Sequence, residues 1–305
     1  MFDNLDKNIV NLQTNFIMMK IKDISQHSEV LDIIQRALSE DIGTGDHSSL
    51  AAIEDDRRAT SKLIFKDNGI VAGLDIAYTI LQLNDPTCSI SKYKNDGDWV
   101  QSSEIGFEVE GNAQSLLKSE RLLLNIMQRL SGIATTTHQA AEIIKNYHTK
   151  VLDTRKTTPN LRVLEKWAVT VGGGMNHRIG LYDMIMLKDN HVDVAGGISN
   201  AINKAKKYLD EKGLKIGIEI ETRNMVEIEE TMKNLPIQRI MFDNFSPDDT
   251  KKAVEIVGGR CETESSGGIT LDNILDYAKA GVDFISLGML THSVKSMDIS
   301  FKIKL

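Results

Sequence analysis

Cations and imidazoles are concentrated between residues 151 and 191. They stand out because the chain of 305 residues carries a formal net charge of −7. Arginine can hold a planar carboxylate through two parallel hydrogen bonds, and lysine supplies a compact charge that suits phosphate. The segment therefore indicates a site for an anionic ligand. Its polar residues are, in order, Asp153, Arg155, Lys156, His177, Arg178, Lys188, Asp189 and His191.

Carboxylates and glycines that could complete such a site follow later in the chain. Glu221 and Asp243 lie at the ends of apolar runs, and carboxylate oxygens are the ligands that Mg²⁺ prefers. Ser266, Gly267 and Gly288 belong to glycine turns, whose backbone N–H groups can bind phosphate. Together these groups suit a carboxylated ring or small dianion, a polyphosphate and Mg²⁺. That combination is typical of phosphoribosyl transfer.

A regular alternation of strands and helices after residue 150 would position these groups. It predicts right-handed βαβ units around a parallel sheet, with the chemistry at the carboxyl ends of the strands. We expect Glu219, Glu262 and Glu264 to lie at such strand ends as well. The predicted strands are 151–152, 184–187, 216–220, 240–242, 260–263 and 284–287, with a short further strand near 175–178. The helices predicted between them are 161–169, 198–210, 225–233, 247–257 and 271–280.

The earlier part of the chain has a different pattern. A first amphipathic helix is predicted at 28–39, and the acidic stretch 40–46 after it is either a solvated turn or a loop near a ligand. Short strands at 61–66, 69–74, 89–93 and 105–110 predict an antiparallel sheet. Helices are predicted at 75–83, 115–132 and 135–147, and Arg121 and Arg129 are taken by pattern alone as solvated helix residues. Residues 293–305 are expected to pack on this first domain.

Composition excludes several classes of protein. The negative net charge argues against a nucleic-acid or anionic-membrane binder. No apolar run approaches the roughly 20 residues that span a bilayer. The acidic start is unlike a signal peptide, and the two cysteines suit reduced thiols in a cytoplasmic protein. Residues 1–18 are interpreted as an extension, with Met18 and Met19 as alternative starts.

The motifs, in this order, resemble those of the quinolinate phosphoribosyltransferases of the type II phosphoribosyltransferase family. The resemblance extends over nearly the whole chain from about residue 26. Asn160 departs from it where a glycine commonly follows the proline, and so does His47, where a small apolar or β-branched residue is usual. The matching segments are EDIGTGD (40–46), GIVAGL (69–74), ER (120–121), QRLSGIAT (128–135), DTRKTTP (153–159), LEKWAVTVGGGMNHRIGLYDMIMLKDNH (164–191), IEIE (218–221), MFDN (241–244), ESSGGI (264–269) and ISLGMLTHS (285–293).

The resemblance implies an α/β subunit with two domains. An α/β sandwich would comprise 19–133 and 290–305, and an open-faced β/α barrel of about seven strands would comprise 134–289. The implied reaction converts quinolinate and phosphoribosyl pyrophosphate to nicotinate mononucleotide, pyrophosphate and CO₂ in de novo NAD biosynthesis, with Mg²⁺ and no organic cofactor. The resemblance also implies a homodimer, with assembly beyond it left open. Arg121 of one subunit would reach the site of the other, which replaces the solvated interpretation of that residue.

Roles carried over by the resemblance fall into two groups. Arg155, His177, Arg178 and Lys188 would bind quinolinate. Contacts to pyrophosphate, ribose or metal would come from Lys156, Glu221, Asp243, Ser266, Gly267 and Gly288. Catalysis is expected of Lys156, Lys188, Glu221 and Asp243, with Glu221 and Asp243 holding the metal.

Three alternatives remain open at this stage. A related transferase could use nicotinate or another carboxylated ring without decarboxylation. A Schiff-base lyase could use Lys188, although the surrounding arginines favour an anion site. A binding or scaffold protein without activity would need gaps in the ligand set, and the sequence has none.

Overall fold

The structure is a computed structural model, and it describes residues 24–304. The predicted extension 1–18, its acidic start and the alternative start residues lie outside the described residues. Two compact units are present. The sandwich unit comprises 24–138, Thr157–Gly173 and 290–304, and the barrel unit comprises Gln139–Lys156 and Gly174–Met289. The domain boundaries derived from the sequence stay a prediction.

Strands and helices are numbered in chain order within residues 24–304. The strands are β1 (Arg58–Phe65), β2 (Gly69–Ile70), β3 (Ser89–Lys92), β4 (Trp99–Val100), β5 (Ile105–Asn112), β6 (Lys150–Leu152), β7 (Met184–Leu187), β8 (Gly217–Thr222), β9 (Arg239–Asp243), β10 (Glu262–Ser266), β11 (Phe284–Ser286) and β12 (Ile299–Lys304). The helices are α1 (Ser28–Ile42), α2 (His47–Ala52), α3 (Leu74–Asn84), α4 (Ala113–Ile143), α5 (Arg162–Val171), α6 (Asp189–Ala195), α7 (Ile198–Lys212), α8 (Met225–Met232), α9 (Pro247–Val257), α10 (Ile274–Ala280) and α11 (Met289–His292), preceded by a short 3₁₀ turn at Ile24–Gln26.

The sandwich unit is built on an antiparallel sheet in the order β12-β1-β5-β3. Exposed and buried residues alternate along β1, as expected where one face of a sheet meets the core and the other meets water. On the exposed face Lys62 pairs with Glu108 of β5, directly opposite it in register. On the buried face Phe107 contacts Tyr78 edge-on, with ring centroids 5.2 Å apart. The expected packing of the chain's end is confirmed, since β12 pairs with β1.

Helix α4 corrects one prediction. The sequence placed a break at Gly132, between helices 115–132 and 135–147, but α4 runs unbroken across it. A Cβ at residue 132 would lie 2.3 Å from the carbonyl oxygen of Lys295. Gly132 therefore permits close approach of the backbone rather than ending the helix. Ser131 and Thr135 beside it accept hydrogen bonds from the backbone N–H groups of Ala72 and Ile70.

The acidic stretch 40–46 and Arg129 were also interpreted incorrectly in part. Helix α1 extends through Ile42, so only the residues after it form the turn. Asp46 caps α2 by accepting from Ser49 N at 3.2 Å. Arg129 is not a solvated residue, because it pairs with the fully buried Glu165 at 2.7 Å and donates to Thr158 Oγ1 at 2.7 Å.

The barrel unit contains six parallel strands in the order β6-β11-β10-β9-β8-β7. The predicted fold class, an α/β chain with a sandwich and an open-faced barrel, is confirmed. All six strands expected from the sequence are present. The predicted 260–263 strand begins later, at Glu262, because Gly258 and Gly259 both have positive φ. The short strand expected near 175–178 is reduced to one parallel bridge between Leu152 and Met175.

Strand register arranges the polar residues of the barrel in rows. Arg239 lies between Glu219 and Glu262, and Met241 lies between Glu221 and Glu264. Asp243 pairs with Ser266 at the carboxyl end. Alternate residues of a strand face the same side, so these rows share one face of the sheet. The polar residues therefore form successive layers that lead to the mouth.

Within residues 24–304, no helix is both long enough and apolar enough to cross a membrane.

Candidate active site

The mouth of the barrel unit brings together groups from the ends of β7 and β8. Lys188 follows β7 directly and is the residue before α6. Its Nζ lies 3.0 Å from Glu221 Oε2. The Lys188 side chain is 46% exposed and that of Glu221 is 11% exposed, so the pair lies at the surface of the mouth. His191 accepts from Lys188 N at 2.9 Å and thereby fixes the start of α6.

The ends of β9 and β10 are joined by a tight pair of turns. Asn244 has a φ of 56°, and its N–H donates to Ser266 O at 2.8 Å. The Asn244 side chain donates to Asp243 Oδ2 at 2.9 Å. Gly267 has a φ of 93°, and a Cβ there would lie 2.2 Å from Asn244 Oδ1. Only glycine fits at residue 267 without displacing the amide beside Asp243.

Arg155 and Arg178 form the cationic side of the mouth. The Nε atoms of both are buried and have no hydrogen-bond partner among the described residues. Arg178 donates to Met184 O at 3.1 Å. Burial, and then the charge of Arg155, lower the pKa of Arg178. Like charges held close together with unpaired donors are a physical signature of an anion site.

Asp153 fixes the segment that carries His177 and Arg178. It follows β6, is fully buried, and accepts from Asn176 Nδ2 at 2.6 Å and from His177 N at 2.8 Å. Lys156, three residues after Asp153, is exposed. Its amide donates to Thr154 Oγ1 at 3.0 Å.

His177 points into the barrel rather than out of its mouth. The ring is 6% exposed, and its Nε2 lies 3.1 Å from Glu219 Oε2 and 3.5 Å from Glu264 Oε2. Its Nδ1 accepts from Arg178 N at 2.8 Å. Burial disfavours the charged ring, but the charges of Glu219 and Glu264 outweigh burial and raise the pKa of His177. A role in binding quinolinate stays a prediction for this residue.

The expected strand-end position of three glutamates is wrong. Glu219 and Glu264 lie inside β8 and β10, because those strands continue to Thr222 and Ser266, and Glu262 is the first residue of β10, at the end away from the mouth. Glu219 and Glu264 are fully buried. Burial raises the pKa of Glu219, but the charges of His177 and Arg239 outweigh it and hold that pKa below its usual range. Burial and the charge of Glu219 raise the pKa of Glu264.

Arg239 was missed by the sequence reasoning. It is 1% exposed and lies 2.7 Å from Glu264, 2.9 Å from Glu262 and 4.0 Å from Glu219. His177, Glu219 and Glu264 have donor types and spacing that could hold a metal, but the Arg239 guanidinium already pairs with the carboxylates. A signal existed: glutamates at alternate positions of the two strands that flank β9 need a buried cation.

The remaining predicted residues lie as follows. Gly288 follows β11 in the barrel unit. Arg121 belongs to the sandwich unit, on the exposed side of α4. It lines a cavity of about 310 Å³, together with Asp41, Asn125 and Glu165. The barrel unit thus gathers every predicted site residue except Arg121.

Comparison with known proteins gives the family. Residues 44–131 match the model of the quinolinate phosphoribosyl transferase N-terminal domain, and residues 133–302 match that of the C-terminal domain. A quinolinate phosphoribosyltransferase (decarboxylating) from Nicotiana glauca, named as mitochondrial, is 42% identical over 290 residues, covering 90% of this chain and 82% of that protein. A probable nicotinate-nucleotide pyrophosphorylase (carboxylating) from Bacillus subtilis is 41% identical, covering 92% of this chain and 95% of that protein.

Solved structures agree with the sequence relatives. A nicotinate-nucleotide pyrophosphorylase from Francisella tularensis aligns with a TM-score of 0.86 and 38% identity, covering 92% of this chain and 99% of that chain. A human nicotinic acid phosphoribosyltransferase aligns with a TM-score of 0.59 at 11% identity, which shows a shared fold alone. The chain belongs to the quinolinate phosphoribosyltransferase family.

Proposed function

We propose that this chain transfers the phosphoribosyl group of phosphoribosyl pyrophosphate to quinolinate with decarboxylation. The products are nicotinate mononucleotide, pyrophosphate and CO₂, a step of NAD biosynthesis. Family membership supports this reaction. The structural observation that carries it is the closeness of Arg155 and Arg178, each with an unpaired buried Nε. These groups suit a dianionic ring such as quinolinate.

Quinolinate would lie against the cationic side of the mouth. Arg155 and Arg178 offer donors to its two carboxylates, and the ammonium of Lys188 adds a third cation. The same ammonium donates to Glu221 at 3.0 Å, and the arginines of the mouth suit an anionic ligand. The anion-binding interpretation of Lys188 is therefore preferred to the lyase alternative.

Phosphoribosyl pyrophosphate would lie on the opposite side. Ser266 ends β10, and Gly267 and Gly288 lie in the turns after β10 and β11, where barrels commonly bind phosphate. Exposed Lys156 would contribute charge to the pyrophosphate. Glu221 and Asp243 would orient the ribose.

Mg²⁺ fits the donor set on this side. Glu221 and Asp243 are carboxylates on one face of adjacent strands, and Mg²⁺ is usually bound through one or two carboxylates together with substrate phosphates. These two residues would hold the ion. When bound, it would supply charge neutralisation for the leaving pyrophosphate.

The chemistry follows from positioning and electrostatics. The C1′–O bond of the ribose breaks, and its electron pair leaves with pyrophosphate, whose charge Lys156 stabilises. The quinolinate nitrogen then forms the bond to C1′ and becomes a pyridinium. The bond from C2 to its carboxylate breaks, CO₂ leaves, and the electron pair stays at C2 beside the positive nitrogen. A proton from solvent completes the product, so the protein needs no nucleophile of its own.

The test is product formation by the purified chain. We expect nicotinate mononucleotide to form from quinolinate in the presence of Mg²⁺, with one labelled CO₂ released from carboxyl-labelled quinolinate per product. Removal of Mg²⁺ by a chelator should abolish the reaction. Transfer to nicotinate, with none to quinolinate, would contradict the proposal and favour the transferase without decarboxylation.

We also propose a homodimer in which Arg121 serves the partner's site. Arg121→Ala and Lys188→Ala should each be inactive alone. Mixing and reassociating them should restore about a quarter of wild-type activity, because half of the dimers are mixed and each has one intact site. No recovery would mean that Arg121 acts in its own chain. The cytoplasmic location expected from the sequence stays a prediction; the Nicotiana glauca relative is named as mitochondrial.

A further inference from the structure

Arg239 lies at the bottom of the polar layers, where solvent does not reach. It is the first residue of β9, and Asp243 at the mouth is the last. Four residues of strand separate the two by about 13 Å. Its guanidinium packs over the ring of Phe284, 4.1 Å from the centroid. A group this deep has no access to substrate, so any effect on the site must act through its neighbours.

The neighbours of Arg239 divide into two groups. Glu262 receives two of its hydrogen bonds, from Nε at 3.1 Å and from Nη2 at 2.9 Å. Glu264 receives the third at 2.7 Å. Of these two, Glu264 is fully buried with Oε2 3.5 Å from His177 Nε2, whereas Glu262 begins β10 and is 22% exposed. Glu262 is therefore a natural reference residue.

His177 connects the buried ions to the mouth. Its Nε2 faces Glu219 and Glu264, and its Nδ1 accepts from Arg178 N–H. Because Nδ1 accepts, the proton of the neutral ring is on Nε2. Asp153 holds the amide of the same residue. Charged groups close to His177 include Glu219 and Glu264 at its ring and Asp153 at its amide, with Arg239 behind the two glutamates.

The direction of these hydrogen bonds depends on a buried cation. Two carboxylates against one imidazole would draw a second proton onto the ring. That proton would occupy Nδ1 and oppose the Arg178 N–H. Arg239 lies 2.7 Å from Glu264 and 4.0 Å from Glu219, so its charge offsets part of the attraction that these carboxylates exert on a second proton. The two carboxylates still raise the pKa of His177, and Arg239 limits that rise.

We infer that Arg239 is a positioning residue: through Glu219 and Glu264 it keeps His177 Nδ1 free to accept from Arg178 N–H, and so holds Arg178 in place for an anionic substrate. The effect on substrate rests on the proposed function. The ring tautomer does not, because it can be measured without substrate.

The first experiment measures the His177 ring by ¹⁵N NMR in the ligand-free protein. The neutral ring of wild type should have an unprotonated Nδ1 and a protonated Nε2, with both nitrogens protonated only below the raised pKa of His177. Arg239→Met should shift His177 toward the doubly protonated ring, and Arg239→Lys should return it part of the way. Glu262→Gln, which removes only the other partner of Arg239, should leave the tautomer unchanged.

The second experiment separates KM from kcat. Arg239→Met should raise the KM for quinolinate about tenfold, the lower end of what loss of a ligand-orienting partner does at other sites. The KM for phosphoribosyl pyrophosphate should change far less, and Arg239→Lys should recover part of the loss. If Arg239→Met fails to fold, Arg239→Lys replaces it, and it must shift His177 part of the way toward the doubly protonated ring while Glu262→Gln does not.

The outcomes distinguish the two proposals. A wild-type tautomer and wild-type quinolinate KM in folded Arg239 variants, with a lower Tm alone, would overturn the inference and leave Arg239 as a purely structural ion pair. A wild-type chain without transferase activity would overturn the proposed function, and the NMR experiment would still decide the role of Arg239.

Discussion

Lys188 Nζ lies 3.0 Å from Glu221 Oε2, and this pair joins the ends of β7 and β8. Lys188 is half exposed, so it contributes little to the core. Its position between the arginines and the carboxylate side of the mouth links the two halves of the proposed site. A substitution of Lys188 should therefore change activity without a large change in stability.

Lys188→Ala should lower kcat/KM for quinolinate on the order of 100-fold or more, since one preorganised charged donor is lost. Its Tm should stay close to wild type, because exposed ion pairs contribute little to stability. Lys207→Ala is the matched control, as Lys207 is 77% exposed and pairs with Glu211 on one helix. Equal activity of the two variants would remove Lys188 from the site.

Gly267→Ala should weaken use of phosphoribosyl pyrophosphate and destabilise the turn after β10. The new Cβ would collide with the Asn244 side chain at 2.2 Å in addition to the strain of positive φ. Gly259→Ala isolates the strain, because Gly259 has a φ of 72° and open space around its Cβ position. We expect Gly259→Ala to lower the free energy of unfolding by about 1–2 kcal/mol with normal KM values. A normal KM for phosphoribosyl pyrophosphate in Gly267→Ala would contradict the placement of that substrate.

Arg129→Met should lower the free energy of unfolding by about 3–5 kcal/mol, because it leaves the fully buried Glu165 without its cation. Chemical denaturation measures this loss. Arg223→Met is the control: Arg223 is 41% exposed and pairs with Asp193 and Glu227. Its loss should be below about 1 kcal/mol. Similar losses of unfolding free energy in the two variants would contradict the explanation that the large loss comes from the burial of Glu165.

The raised pKa of Asp96 should make the stability of the fold depend on pH. Burial is the main cause that raises its pKa to about 6, against the hydrogen bonds it accepts from Gly73 N and Leu74 N. The unfolded carboxyl titrates near pH 3.9. Between these values the folded state retains a proton that the unfolded state has lost, so the free energy of unfolding falls as pH rises from about 4 to about 6.

The expected fall is on the order of 1 kcal/mol, since the side chain keeps some contact with solvent. Asp96→Asn cannot titrate and should flatten this part of the profile measured by urea unfolding. An unchanged slope in Asp96→Asn would assign the pH dependence to another group.

The mouth of the barrel could be predicted because its residues directly follow recognisable strands. Lys188 and Asp243 lie where apolar runs end, and period and length locate such ends within a few residues. Arg239 could not be predicted in the same way, because it begins its strand and becomes meaningful only when β8 and β10 lie on either side of it. The register that brings it to Glu219 and Glu264 is a tertiary property.

The unbroken helix α4 shows a second limit of local reasoning. By type alone, Gly132 would be expected to end a helix. In the structure it instead allows the backbone of Lys295, which is remote in sequence, to pack closely against α4. Arg129 is similar, since its partner Glu165 belongs to a different helix. Local sequence patterns predict that a helix forms. The role of an individual residue in that helix depends on the segment that packs against it.

The pairing of β12 with β1 also has a consequence during synthesis of the protein. While a ribosome is still translating the chain, β1 can already align with β5, but its other edge presents unpaired N–H and C=O groups until residues 299–304 emerge. An exposed strand edge is a template for aggregation. A nascent or truncated chain that lacks residues 299–304 should therefore depend on chaperones more than a chain that contains them.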